Sequence, residues 1–236
     1  MDIRKQIGEE LLLFDGAMGT MLQAYGMKAG QNPEALNLED PELLGRIHRE
    51  YVEAGAQFIT TNTFGANAYK LEETGYSVTE VITAAVEIAK TATAGTEAKV
   101  ALDIGPVGKM MKPIGLLDFD QAYDYFREQV MIGVAAGVDL ILIETMSDLA
   151  EMRAAVLAAK ENSDLPIFVT MTFTEDGNTL TGTEPEIMAL SLDALGVDVL
   201  GVNCSLGPKE LIPIIKRILA FTNTPVMVQA NAGIPV

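Results

Sequence analysis

Seven short runs rich in apolar and β-branched residues recur along the chain, at 11–14, 58–63, 100–104, 140–144, 167–173, 199–204 and 226–230. Between them lie longer segments, 41–54, 78–94, 118–136, 148–160, 184–195 and 209–221, in which apolar residues return at helical spacing. Strands that are apolar on both faces need cover on both. A helix between each pair of strands gives that cover and also the crossover that parallel pairing requires. The alternation therefore predicts an α/β fold around a parallel sheet, either a (β/α)8 TIM barrel or a doubly wound sheet. No GxGxxG turn follows the first run. Polar or small residues follow almost every run instead: Asp15-Gly16, Asn62-Thr63, Gly105-Pro106, Glu144-Thr145, Asn203-Cys204 and Asn231-Ala232. Chemistry spread over the ends of many strands is the habit of a barrel, so the expected fold is the (β/α)8 barrel.

The count of strands is one short of a barrel. Residues 1–10 read as a charged helix and supply no further strand, and the chain ends just after the seventh run. The expectation is one domain over residues 1–236, a barrel with seven strands whose eighth strand and helix are missing. No linker, low-complexity tract or internal repeat divides it. Sixteen basic residues stand against thirty-three acidic ones, a formal net charge of −17, which repels phosphate backbones and anionic headgroups. Nucleic acid and membrane are thus excluded as expected partners. The N-terminal residues mix charges of both signs and lack the apolar stretch of a signal peptide, and one cysteine forms no internal disulfide. A cytoplasmic location is expected.

The strand ends carry the candidate chemistry. In residues 15–20 (DGAMGT) the glycines allow a sharp turn that exposes the amides of Ala17, Met18 and Gly19 to a carboxylate, while Asp15 can accept from an ammonium group. A purely structural turn accounts for the same residues. Glu144 closes the apolar run LILIE, where a carboxylate must be solvated, paired or protonated. A ligand ammonium or a neighbouring basic side chain would each serve. Thr61, Asn62, Thr63 and Asn67, with Asn203 beside Cys204, add the neutral donors and acceptors that suit a small zwitterion. Cys204 itself reads equally as a small buried hydrophobe. His48 lies within a helix on the outside of the barrel, which speaks against Ser-His-Asp and Cys-His mechanisms, since it is the single histidine. No lysine ends a strand, so a Schiff-base aldolase is not expected. The twelve methionines are scattered as core filler.

Taken in order, residues 15–20 (DGAMGT), 48–56 (HREYVEAGA), 61–67 (TNTFGAN), 103–106 (DIGP), 144–148 (ETMSD), 180–185 (LTGTEP), 201–208 (GVNCSLGP) and 231–233 (NAG) resemble the homocysteine S-methyltransferase family, and within it the cobalamin-dependent branch. The resemblance spans nearly the whole chain. It implies a zinc enzyme whose metal is held by three cysteines, of which Cys204 matches the first; the other two belong to a GGCC segment that this sequence does not contain. Zinc would turn a thiol of ordinary pKa near ~8.5 into a thiolate and leave a position for the homocysteine sulfur. Methylcobalamin on a separate domain would give up the methyl group, with methyltetrahydrofolate as ultimate donor. The implied partners are homocysteine and the pterin-binding and corrinoid-binding domains of the same or a partner protein. Carried onto this sequence, Asp15 and Glu144 hold the substrate ammonium, the amides of Ala17, Met18 and Gly19 its carboxylate, Thr63 lines the site, and Asn203 supports Cys204. Two other classes stay open on the residues alone, a non-catalytic barrel that binds an amino acid and a pterin-binding barrel transferase.

Overall fold

The structure, a computed structural model, describes residues 3–28 and 30–232. A single helical turn, α1 (Ile3–Gln6), leads to α2 (Met18–Ala24), α3 (Leu36–Glu39) and α4 (Pro41–Glu53). From there strands and helices alternate: β1 (Phe58–Thr60), α5 (Val78–Thr93), β2 (Lys99–Ile104), α6 (Phe119–Ala136), β3 (Leu140–Met146), α7 (Leu149–Asn162), β4 (Ile167–Met171), α8 (Pro185–Leu195), β5 (Val199–Asn203), α9 (Pro208–Leu219) and β6 (Val226–Gln229). The six strands form one parallel sheet in the order β1-β2-β3-β4-β5-β6. A doubly wound sheet reverses its strand order part way; this one never does, so every crossover turns the same way and the sheet curls as a half-barrel.

The two faces of the sheet are sorted by alternation along each strand. Ile59, Val100, Leu102, Ile104, Ile141, Ile143, Ile167 and Val169 face outward into the large core shared with the helices. Phe58, Ala101, Leu140, Leu142, Phe168 and Val199 face inward and pack with Ile3, Leu12 and Phe14. Phe14 stacks on Phe58 at 4.7 Å between ring centroids, with Phe168 tilted beside both. That aromatic floor closes the end of the sheet from which the strands start.

The first of the seven expected strands is not one. Residues 11–14 make a single parallel bridge, Phe14 to Phe58. The amide of Leu13 donates to the side-chain Oε1 of Gln57 at 2.8 Å rather than to a strand carbonyl, so the ladder cannot extend backward. It cannot extend forward either, because Gly16 turns the chain against Tyr51: a Cβ on Gly16 would stand 2.8 Å from that ring. The sheet thus has six strands among the described residues and not seven. Of the charged helix expected over residues 1–10, the described residues form α1 alone, and Met1 and Asp2 lie outside them. So do residues 233–236, where Gly233 of the NAG motif and the expected stop before an eighth strand fall.

Helix starts follow ordinary capping. Asp40 accepts from the amide of Leu43 at 3.2 Å, as its place before Pro41 predicts. Asp118, which precedes α6, makes no such bond and pairs instead with Lys112 at 2.6 Å. A reciprocal capping box between Ser77 and Glu80 starts α5.

Candidate active site

At the other end of the sheet, where the strands finish, the inward positions turn polar. Two residues beyond Ala101 stands Asp103, two beyond Leu142 Glu144, two beyond Phe168 Thr170, and at the ends of β5 and β6 Asn203 and Gln229. Asp15 joins them from the turn after the Phe14 bridge. Its Oδ2 accepts from the amide of Thr60 at 2.9 Å and its Oδ1 from the Thr60 hydroxyl at 3.0 Å, with that hydroxyl also 3.2 Å from Oδ2, which fixes the carboxylate on β1. Burial pushes the Asp15 carboxyl up to about 7 against the pull of those bonds, and the charge of Glu144 adds to the rise. Glu144 is pushed to about 7 by burial as well. Asp103 is raised well above the carboxylate range by burial first and then by the charges of Glu144 and Asp15. Three carboxyls therefore feel one another across the mouth of the half-barrel.

The thiol sits beside them. Cys204, Ser205 and Thr145 all have left-handed backbone, with φ of 55°, 56° and 61°. For a β-branched residue such as Thr145 that conformation is a true outlier of a kind that gathers at functional sites. Asn203 holds it: its Oδ1 accepts from the Thr145 amide at 3.0 Å, and its Nδ2 donates to the Thr145 hydroxyl at 2.7 Å and to Cys204 Sγ at 3.5 Å. Burial, then the charges of Glu144 and Asp103, push the Cys204 thiol above its ordinary pKa, so at neutral pH it keeps its proton unless a cation arrives. The hydroxyl of Thr63 is engaged elsewhere, donating to the carbonyl of Asp103 at 2.7 Å. Ala17 precedes the start of α2, with Met18 and Gly19 in its first turn. His48 is 1% exposed within α4, its Nδ1 is without a hydrogen-bond partner, and burial lowers its pKa to about 4; it belongs to the outer packing and not to the mouth.

Asp103 is the residue that inspection of the sequence passed over. It carries the same signal that singled out Glu144, a carboxylate near the end of an apolar run (KVALDI beside LILIE), but it was absorbed into the DIGP motif.

Zinc can be tested against these residues. The sequence has one cysteine and one histidine, and among the described residues no three His, Cys, Asp or Glu side chains are grouped so as to hold a metal ion. A tetrahedral zinc site with three protein ligands does not fit them.

A parallel, progressively curled α/β sheet whose strand ends gather three carboxyls and a thiol defines a barrel-type protein with its ionisable groups at one end of the sheet. The chain belongs to the homocysteine S-methyltransferase family, whose profile matches residues 12–236. It is 31% identical to the methionine synthase of Mycobacterium leprae (strain TN) and 32% identical to that of Mycobacterium tuberculosis (strain ATCC 25618 / H37Rv), in each case over all of this chain and 21% of the relative. The chain thus spans about a fifth of the length of these curated relatives. Among solved structures, the metallated form of the homocysteine methyltransferase MmuM from Escherichia coli superposes with a TM-score of 0.84, at 24% identity, over 96% of this chain and 85% of that one. That likeness shows the fold. Family membership sets aside the pterin-binding transferase.

Proposed function

We propose that this chain is the homocysteine-binding domain of a methionine synthase-type methyltransferase, and that its mouth binds homocysteine as a zwitterion. The observation that carries this reading is the half-buried carboxyl pair Asp15 and Glu144, both raised to about 7, with the sole thiol beside it, in a chain of this family. Asp15, oriented by Thr60, and Glu144 accept from the substrate ammonium, and each carboxyl ionises as the cation enters. The amides of Ala17, Met18 and Gly19 receive the substrate carboxylate, and Thr63 shapes the wall through its bond to β2. Asn203 positions Cys204 near the substrate sulfur. The strained backbone at Thr145 and Cys204 is a cost that this positioning offsets.

The methyl donor in this reading is methylcobalamin on a separate corrinoid-binding domain, recharged from methyltetrahydrofolate on a pterin-binding domain; what supports it is the likeness to methionine synthases about five times as long as the chain. Cys204 alone does not make a zinc site, and no step here depends on the metal. The fold in this reading is of the (β/α)8 barrel class. No described helix is long and apolar enough to cross a membrane, and a cytoplasmic location is proposed on the acidic, cysteine-poor composition.

Titration calorimetry with L-homocysteine tests the reading. Glu144→Gln removes one ionic acceptor, and a charge-assisted hydrogen bond of about 1.5–3 kcal/mol corresponds to a loss of roughly tenfold to a hundredfold in affinity. Unchanged affinity would remove Glu144 from the site.

A further inference from the structure

The inward polar layer contains acceptors that nothing in the chain saturates. Asp103 Oδ1 on β2 and Thr170 Oγ1 on β4 are buried without a hydrogen-bond partner, their residues being 8% and 0% exposed. They flank Glu144 on β3, so three consecutive strands present polar groups to the same interior. Buried polar atoms left unpaired are rare and costly, and two of them on one face of neighbouring strand ends mark a place shaped for a ligand. The main chain at Asp103 is pinned: its amide donates to the Thr61 hydroxyl at 3.1 Å and its carbonyl accepts from Thr63 at 2.7 Å. The basic group whose field reaches Asp103 is Lys70, yet the Lys70 Nζ lies 5.0 Å from the Phe64 ring centroid and makes no ion pair among the described residues. The chain thus gives Asp103 no counter-charge of its own in hydrogen-bonding reach.

An ammonium group has three N–H donors. Asp15 and Glu144 take two of them in the function proposed above, on which the present inference rests. We infer that Asp103 takes the third, so that the site is complete only for a primary ammonium and selects amino acids whose amino group is unsubstituted. Asp103 is then a substrate-binding and specificity residue. The upward push on its carboxyl by Glu144 and Asp15 has the direction that an arriving cation reverses.

Calorimetry on the chain with L-homocysteine and with its des-amino analogue mercaptobutanoate separates the possibilities. In Asp103→Asn homocysteine affinity should fall by about tenfold or more, while the analogue binds within about twofold of its wild-type affinity. A variant that weakens both ligands alike, or neither, overturns the inference. Loss of affinity in Glu144→Gln but none in Asp103→Asn overturns it and leaves the homocysteine site standing; a wild-type chain that does not bind homocysteine overturns both. Should the variant not fold, isotope-labelled aspartate carboxyls in the wild-type chain give the same answer by NMR. The Asp103 signal should move on adding homocysteine and stay on adding mercaptobutanoate, and movement with both or with neither overturns the assignment.

Discussion

Glu151 is one of several carboxyls that tie the stability of the chain to pH. It lies on α7, 4% exposed, and its Oε1 accepts from the amide of Val107 at 2.8 Å in the loop that follows β2. Burial raises it from 4.5 to about 7, with the Val107 bond opposing the rise. Between those values the folded chain holds a proton that the unfolded chain has released, so stability falls as pH climbs from about 4.5 to about 7 and is level beyond. Glutamine keeps the acceptor for Val107 and cannot ionise. Glu151→Gln should therefore match the wild type near pH 4 and exceed it above pH 7 by on the order of 1–3 kcal/mol, read as the difference between urea unfolding curves across that range. His48 tilts the other way, since a histidine lowered to about 4 loses stability as pH falls from 6.5; subtracting variant from wild type cancels it. At this scale the sequence was legible where chemistry contradicts its surroundings. Glu144 stands out in LILIE because a charge does not belong in an apolar strand. The left-handed backbone of Thr145 and Cys204 had no such mark, since neither residue type favours it and only the tertiary bonds of Asn203 hold it.

Elements were legible in proportion to how far local pattern decides them. Helices α4 to α9 and strands β1 to β6 lie where periodicity puts them, because each has enough residues to show its buried face. The run at 11–14 has the composition of a strand, but its Leu13 amide goes to the Gln57 side chain and not to a neighbouring strand, and pairing is a property of two segments. Capping divided along the same line: Asp40 bonds its own helix, whereas Asp118 is drawn off by Lys112, a residue that sequence proximity to the helix did not bring into view. The contact between α6 and β2 was wholly tertiary. Gly133 lies in the last turn of α6, and glycine within a helix costs about 1 kcal/mol relative to alanine. A Cβ there would overlap the side chain of Leu102, which is fully buried on the outer face of β2. Gly133→Ala should therefore destabilise the chain by about 1–3 kcal/mol despite its better helix propensity, a shift that thermal unfolding detects. Stabilisation by the substitution would mean that the helix can stand farther from the sheet.

For the molecule as a whole, the barrel class followed from the order of runs and the polar residues at their ends, and the family from motifs spread over nearly the whole sequence. The metal expectation is the part that the chain does not support by itself. With one cysteine and no grouped ligands among the described residues, the purified chain should come out of dialysis against a chelator with far less than one zinc per molecule, measured by elemental analysis. Tight stoichiometric zinc would mean that ligands other than thiolates close around Cys204. Asn203 adds one more property at this scale. It reaches from β5 to Thr145 on β3, over the intervening β4, and so acts as a bowstring across an arc of three strands. The tie across the arc is thereby made by the same side chain that stands next to the thiol. A ligand that met Asn203 would therefore meet a side chain that also ties β3 to β5.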